Sequence, residues 1–252
     1  MLENKKHFVC DNNKEELTLG TLHFQEANEL IRQKLAKCSS LILRNVFAQR
    51  YIGCAMPMGK SIYVFGTPGN DMAAYMDGGS IEVFGNAQDQ IGNTMNDGVV
   101  VIHGRCGDAA GYAMRGGTIF IRDDCGWRVG INMKQYQDKC PTIVIGGNAG
   151  NFLGEYMAGG IILLLGKAGS YLATGMHGGV IYLRKNIDLS GITDDLSICP
   201  LDDSDETKIT GLLNSYSENF GDELDKFTLP DIEEFVKIIP KSARPYANMY
   251  AN

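Results

Sequence analysis

A repeat of nineteen residues restricts the fold of this chain more than any other feature of its sequence. A methionine series marks the period, with one insertion of five residues: Met76, Met95, Met114, Met133, Met157 and Met176. Paired glycines keep the same register, at Gly78-Gly79, Gly116-Gly117, Gly159-Gly160 and Gly178-Gly179, and a short β-branched run follows each pair. One unit is too short to close a core by itself, whereas stacked copies can. The repeat therefore predicts a coil in which each unit adds one turn.

The β-branched runs supply the side chains that would fill such a coil. One ladder consists of Ile81, Val100, Ile119, Ile143, Ile162 and Ile181, and a second of Val83, Ile102, Ile121, Ile145, Leu164 and Leu183. The two ladders are two residues apart, which is the spacing of side chains on one face of a strand. Stacked strands pair in parallel about 4.8 Å apart. We therefore predict an all-β fold, a single-stranded parallel β-helix of about seven or eight rungs, with the methionines as a third inward ladder.

The segments that flank the repeat are expected to close the two ends of the coil. We divide the chain into an N-terminal segment at 1–40, the coil at 41–186 and an acidic extension at 187–252. The stretch 21–38 is amphipathic, and Thr21 is a suitable N-cap. It predicts a helix that caps the open first rung, with docking of a partner as the alternative.

The acidic extension holds 14 acidic and 5 basic residues, a net charge of −9, which leaves residues 1–186 at +2 of the total of −7. Residues 187–210 are expected to form a solvated loop. The apolar residues of "DIEEFVKIIP" at 231–240 lie on one helical side, and Pro240 ends the pattern, so a short helix is predicted there. We expect this helix and the tail "KSARPYANMY" to lie on the coil or on another subunit.

One outward column of the strands is apolar where water would require polar side chains. After Glu82 the column continues with Val101, Phe120, Val144, Leu163 and Tyr182. A stripe of this length is larger than a monomer normally leaves bare. We expect it to be covered either by the C-terminal segment or by a partner, which includes self-association.

No catalytic, cofactor-binding or metal-binding residue is predicted on this chain. Gly59-Lys60-Ser61 imitates a phosphate-binding loop, but such a loop has four residues between its glycines and opens a helix, whereas here five residues separate the glycines and a strand follows. The column Phe84, His103, Arg122, Gly146, Leu165 and Arg184 shows no pattern suited to catalysis. Asp89 and Asp108 lie one rung apart and could meet a cation, but too few charges accompany them for a calcium site.

Cysteine and tryptophan positions are interpreted from the same columns. Cys106 and Cys125 occupy a small inward position that otherwise holds Ala87, Ala149 and Ala168, so packing explains them better than metal binding. The seven cysteines form no CxxC pair, and without a secretion signal they predict no disulfide framework. Trp127, followed by Arg128 on a turn, suits either an interface or a buried turn.

Composition limits the class of partner and the compartment. The chain has no basic patch, so we predict no nucleic-acid partner. No apolar run approaches the roughly 20 residues of a membrane span, and the first residues lack a signal-peptide core. We therefore expect a soluble cytoplasmic protein without a membrane partner.

Three stretches carry a resemblance to a known family. The sequences "GDAAGYAMRGGTIFI", "GNFLGEYMAGGIILLLG" and "GSYLATGMHGGVIYLR" resemble the GXGXG repeat domain of the glutamate synthase large chain, and are also similar to the architectural subunit of formylmethanofuran dehydrogenase. The resemblance covers about residues 40–186 and implies a right-handed parallel β-helix. The chain has neither the N-terminal cysteine nucleophile nor the flavin barrel of the large chain, and so looks most similar to the separate GXGXG subunit of archaeal-type glutamate synthases.

The resemblance implies a non-catalytic scaffold subunit of a glutamate synthase-type complex, which makes glutamate from glutamine and 2-oxoglutarate. The expected partners are a glutaminase subunit and a synthase subunit that carries FMN and iron–sulfur clusters. The architectural subunit of formylmethanofuran dehydrogenase is the first alternative. A stand-alone β-helix enzyme or sugar-binding protein is the second.

Overall fold

The computed structural model describes residues 13–185, 192–223 and 229–242, and these form a single eleven-stranded sheet with two α-helices. The coil strands, in chain order, are β1 Lys14–Thr18, β2 Ser40–Phe47, β3 Ser61–Thr67, β4 Asp77–Phe84, β5 Asp97–Ile102, β6 Thr118–Ile121, β7 Thr142–Ile145, β8 Ala158–Leu164 and β9 Gly178–Arg184. Each pairs in parallel with the next one along the chain. The predicted parallel coil is confirmed.

The three predicted inward ladders form the core of the coil. The register pairs Val100 with Ile119 and Ile102 with Ile121, as the nineteen-residue period requires. All twelve members of the two aliphatic ladders and all six methionines of the series have 0% exposure. Because the same side chains meet their equivalents at every turn, one repeating unit specifies the packing of the whole coil.

The N-terminal end is closed as predicted, with small differences in the helix bounds. Helix α1 runs from Phe24 to Leu35, and its N-cap is His23 rather than Thr21. Its buried residues, which include Ile31 and Leu35, join the core cluster of the coil. Strand β1, which the sequence pattern does not predict, adds a partial rung before the helix.

The C-terminal segment folds differently from the prediction in two places. The expected loop at 187–210 is wrong from residue 196 onward: after strand β10, Leu196–Cys199, helix α2 runs from Asp203 to Phe220. The expected helix at 231–240 is wrong as well. Only Ile232–Glu234 forms a 3₁₀ turn, and strand β11, Phe235–Pro240, follows. Residues 187–191 of the predicted loop and 243–250 of the tail lie outside the described residues.

Strand β11 forms where a helix was expected because it closes the open end of the coil. It pairs antiparallel with β9 on one side and with β10 on the other. An unpaired last strand would leave a row of free N–H and C=O groups, so this pairing satisfies the edge. The apolar spacing of the segment fits one side of a helix, but Val236, Ile238 and Ile239 favour a strand.

The outward apolar column is covered by the chain itself. Val101, Phe120, Val144, Leu163 and Tyr182 are each at most 7% exposed. They form a second core cluster with Ile209, Leu213, Tyr216 and Phe220 of α2 and Phe235 of β11. We call α2, β10 and β11 the C-terminal layer and the five strand residues the covered stripe. The covered stripe is therefore not available for self-association.

Helix α2 explains why the covering is specific. Its buried residues, Asp205, Ile209, Leu213, Tyr216 and Phe220, follow one another at intervals of three or four, which places them on one face. Asp202 and Asp205 form a capping box at its start. Neither helix in the described ranges, the longer of which has 18 residues, is apolar enough to cross a bilayer.

Candidate interaction face

The connection that precedes each strand from β3 to β9 contains a segment of unusual backbone geometry. These segments are 51–56, 71–76, 90–95, 109–114, 128–133, 152–157 and 171–176, and together they form what we call the turn face. In each segment the first, third and fifth residues have φ between 50° and 72°, in the left-handed region. Many of these residues are not glycine; Ala109, Arg128 and Phe152 hold the first position of successive turns. Non-glycine residues seldom adopt this conformation, so the surrounding coil must enforce it.

Hydrogen bonds between turns explain how the geometry is maintained. Within one segment, the N–H of Gln90 donates to Asp108 O at 2.7 Å, that of Gly92 to Met72 O at 2.8 Å, and that of Thr94 to Tyr112 O at 2.7 Å. The first and fifth positions thus bond to the following turn and the third to the preceding turn. Each of the five inner segments is therefore tied to both neighbours through its backbone, and each end segment to one, which makes the turn face a rigid platform.

The third position of each segment packs against the core. A Cβ on Gly111 would lie 2.4 Å from Cδ1 of Ile143, and one on Gly92 would lie 2.6 Å from Cδ1 of Ile119. One repeat earlier, the residue equivalent to Gly92 is Ala73. The residue equivalent to Ile119 is then Val100, which has no Cδ1 and so leaves room for the alanine methyl group. Each of the five third-position glycines thus accompanies an isoleucine, and Ala73 accompanies a valine. Ala173 lies in the last segment, beyond which the ladder has no further member.

The turn face carries a large share of the exposed aromatic side chains of the described residues. The exposed fractions are 38% for Tyr51, 54% for Tyr75, 38% for Tyr112, 42% for Tyr156 and 60% for Tyr171, with Trp127 at its border 53% exposed. Charge is scarce: of the 42 residues in the seven segments only Asp71, Arg128 and Glu155 are charged. Rigid aromatic side chains with few charges are typical of the centre of a protein interface.

Three first-position side chains on consecutive turns form an ordered stack. The guanidinium carbon of Arg128 lies 4.6 Å from the ring centroid of Phe152, which stacks on Tyr171 at 4.7 Å with an interplanar angle of 11°. Arg128 also forms an ion pair with the buried carboxylate of Glu155. Trp127 is 53% exposed, so its interpretation as a buried turn residue is wrong, and its interpretation as an interface residue stays a prediction. The sequence signal that could have revealed this face was the recurrence of tyrosine at the fifth position, Tyr75 and Tyr156.

A cluster of polar residues fastens the C-terminal layer to the coil. His103 Nε2 lies 2.8 Å from Glu82 Oε1, and its Nδ1 lies 2.7 Å from Glu223 Oε1. Arg122 forms an ion pair with Glu223 and a bidentate pair with Asp123, at 2.9 and 2.8 Å. The His103 side chain is 3% exposed. These groups hold the layer in place. The His103 ring is enclosed, whereas the side chains of Arg122 and Asp123 are 26% and 39% exposed at the surface.

This cluster forms along the strand column that begins with Phe84, His103 and Arg122, in which the sequence showed no catalytic pattern. The rings of Phe65, Phe84 and His103 stack at 4.7 and 5.0 Å on successive turns. At Gly146 a Cβ would lie 1.8 Å from the hydroxyl oxygen of Tyr216, so glycine leaves the space through which α2 approaches. Tyr216 Oη donates to Arg122 O at 2.8 Å.

The residues that imitate chemical motifs have structural contacts. Lys60 Nζ donates to Cys38 O at 2.7 Å, and Ser61 lies in strand β3, so this stretch is a rung of the coil. Asp89 Oδ1 accepts the N–H of Asp108 at 2.9 Å, and Asp108 Oδ1 accepts that of Trp127 at 2.8 Å. Both carboxylates therefore accept a hydrogen bond from a backbone N–H of the next turn.

The cysteines behave as packing residues. Cys106 and Cys125 are 5% and 8% exposed, and each forms isolated bridges with its column neighbours, as the alanines Ala87 and Ala149 do. Burial raises the pKa of Cys106 well above its usual value and that of Cys125 to about 12, which keeps both thiols protonated at neutral pH. Within the described ranges no three His, Cys, Asp or Glu side chains are grouped so that they could hold a metal ion.

Comparison with known proteins identifies relatives of the whole chain. A model of the family described as GXGXG motif matches residues 29–241. The chain is 39% identical over 243 residues to the uncharacterized protein MJ1350 of Methanocaldococcus jannaschii, which covers 91% of this chain and 93% of that protein. A chain in the crystal structure of the formyltransferase/hydrolase complex FhcABCD from Methylorubrum extorquens, with methylofuran, is 20% identical with a TM-score of 0.59, covering 84% of this chain and 88% of that chain. At that identity the last match shows the fold alone.

Proposed function

Because the chain belongs to the GXGXG motif family, we propose that it is a scaffold subunit of a multi-subunit enzyme and performs no chemistry itself. The observation that carries this proposal is the turn face. It is rigid, aromatic and nearly free of charge, and it extends over seven turns, or roughly 29 Å at about 4.8 Å per turn. The chain covers its own apolar stripe with the C-terminal layer, whereas the turn face has no such cover within the described residues.

The proposed complex is of the glutamate synthase type, and the proposal rests on the sequence resemblance of residues 40–186. In it a glutaminase subunit releases ammonia, and a synthase subunit with FMN and iron–sulfur clusters forms glutamate from 2-oxoglutarate. The cofactors are assigned to the partners because the buried thiols of this chain are arranged for packing. Trp127, Tyr156 and Tyr171 are the residues we assign to the contact with a partner subunit. Such a subunit acts in the cytoplasm.

A specific observation favours a second candidate, the architectural subunit of formylmethanofuran dehydrogenase. The similar solved structure belongs to a formyltransferase/hydrolase complex. The similarity of fold supports this candidate and the glutamate synthase candidate equally. The two candidates share the scaffold role and differ in the proteins that the turn face would contact.

Purification of the native complex tests the proposal. An affinity-tagged chain is expressed in its own organism, and the proteins that copurify with it are identified by mass spectrometry. Recovery of a glutaminase and a flavin- and iron–sulfur-containing synthase would support the first candidate, and recovery of formylmethanofuran dehydrogenase subunits the second. A chain recovered alone, or one that turns over glutamine and 2-oxoglutarate without partners, would contradict the scaffold role.

A further inference from the structure

A cavity of about 420 Å³ lies between the cap helix α1 and the first segment of the turn face. Its wall is mainly apolar and includes Ile31 and Leu35 of the helix and Ala55 and Met56 of the turn. Ligand sites typically enclose roughly 300 to 1,000 Å³, and a cavity of about 150 Å³ already holds a benzene ring. The helix therefore closes the coil without filling the space beneath it.

The charged groups at this cavity have one sign. Arg32 and Lys60 line it, and no carboxylate does. Lys60 Nζ donates to Cys38 O at 2.7 Å, which fixes its position, and Arg32 makes no ion pair with any described residue. An ammonium and a free guanidinium beside an apolar wall are complementary to an anion with a hydrocarbon part.

A buried amide adds a polar group to the apolar wall. Asn28 is 6% exposed and lines the cavity. Its Nδ2 donates to Phe24 O and to Arg50 O, both at 2.7 Å, which holds the side chain in place. Its Oδ1 accepts no hydrogen bond from the described residues. An apolar site with a few convergent polar groups is the usual composition of a small-molecule site.

We propose that this cavity binds a small amphipathic carboxylate. The hydrocarbon part packs against Ile31, Leu35 and Met56, and the carboxylate lies at the mouth beside Arg32 and Lys60. The site is separate from the residues that fasten the C-terminal layer. It is also independent of the scaffold role, because a partner subunit on the turn face is not required for it.

Titration calorimetry of the full chain with octanoate and with 1-octanol tests the site. Ala55→Tyr places a ring in the cavity wall at a position whose backbone accepts it, since Ala55 has φ 55° and the equivalent Tyr75 and Tyr156 have φ 57° and 52°. Ala113→Tyr is the matched control, with φ 50° in the same column three turns away. Arg32→Gln removes the free charge from an exposed side chain.

We expect one octanoate per wild-type chain, at least tenfold weaker binding to Ala55→Tyr, and binding within twofold of wild type to Ala113→Tyr. Arg32→Gln should weaken octanoate severalfold and leave 1-octanol unchanged. Thermal unfolding of each variant shows whether the coil is intact. The proposal is wrong if wild type binds no octanoate at millimolar concentration, if Ala55→Tyr binds as wild type does, or if Arg32→Gln weakens both probes equally.

Discussion

Two faces run along the coil, and the chain treats them in opposite ways. The covered stripe is aliphatic and aromatic, its one polar side-chain group is the hydroxyl of Tyr182, which donates to Asp205, and its five residues are at most 7% exposed beneath the C-terminal layer. The turn face mixes tyrosine with alanine and small polar residues, and five of its tyrosines are 38–60% exposed. A purely apolar surface has to be buried as the chain folds, whereas a mixed aromatic surface can remain in water until a partner arrives.

The largest expected difference between the two faces is in stability. Phe220 of α2, which is fully buried where the C-terminal layer covers the stripe, packs against the rings of His103 and Tyr216 at 5.1 and 4.8 Å. Phe220→Ala should lower the free energy of unfolding by about 3 to 5 kcal/mol, because it leaves a cavity under α2. Urea unfolding followed by circular dichroism measures the change. Tyr171→Ala is the matched control on the turn face, and equal losses for the two variants would contradict the comparison.

The next prediction concerns the backbone that makes the turn face rigid. Gly111→Ala should cost about 1 to 3 kcal/mol, because the new methyl group would lie 2.4 Å from Cδ1 of Ile143. Ile143→Val removes that methyl group, so the double variant should recover much of the loss and reproduce the pairing of Ala73 with Val100. Unfolding of both single variants and the double variant gives the coupling energy. Strictly additive losses would show that packing against the ladder does not select glycine here.

Acidification should weaken the attachment of the C-terminal layer to the covered stripe by protonating Asp205. Burial opposes ionisation of this carboxyl, but hydrogen bonds from Lys237, Tyr182 and the backbone of Asp202 outweigh it and hold its pKa at about 2, against 3.8 for a free side chain. The stabilisation, on the order of 1 to 2 kcal/mol, is complete above about pH 5 and declines as the pH falls through the folded-state pKa of about 2. In urea unfolding, the difference between wild type and Asp205→Asn should therefore narrow from pH 5 to pH 2. A constant difference would mean that the carboxylate charge contributes nothing.

The smallest expected effect on stability belongs to the exposed aromatic residues. Trp127→Ala and Tyr156→Ala should change the free energy of unfolding by no more than about 1 kcal/mol, because the side chains are 53% and 42% exposed and leave no enclosed cavity. The same variants should recover less of the partner proteins in the affinity purification. Phe47→Ala, which is 66% exposed away from the turn face, is the control and should recover them fully. Full recovery with Trp127→Ala and Tyr156→Ala would remove the turn face from the interface.

The sequence predicts the interior of the coil because each turn repeats the same environment. Ile119 pairs with Ile143, and each contacts the equivalent residue of the neighbouring turn, so the packing of one repeat predicts the packing of the others. The left-handed residues are harder to predict, because Arg128 and Phe152 adopt that conformation only under the constraint of neighbouring turns. Glycine recurs only at the third position, and Gly175 is the single glycine at a fifth position.

The C-terminal layer occurs once, so no repetition supports its prediction. The capping box of Asp202 and Asp205, followed by Ile209 and Leu213, was a local signal for α2. The segment from Phe235 fits a helix and a strand equally well by its own pattern. The free edge of β9 decides in favour of the strand, and that edge is a property of the folded coil rather than of the segment.

Hydroxyl-radical footprinting tests the role of the two faces most directly. The chain alone and the purified native complex are labelled, and the oxidation of Trp127, Tyr156 and Tyr171 is compared with that of Phe47 and Tyr136, which are exposed elsewhere. We expect the first three to be protected in the complex and the other two to be labelled equally in both samples. Equal labelling of Trp127, Tyr156 and Tyr171 in the two samples would contradict the assignment of the turn face to a partner subunit.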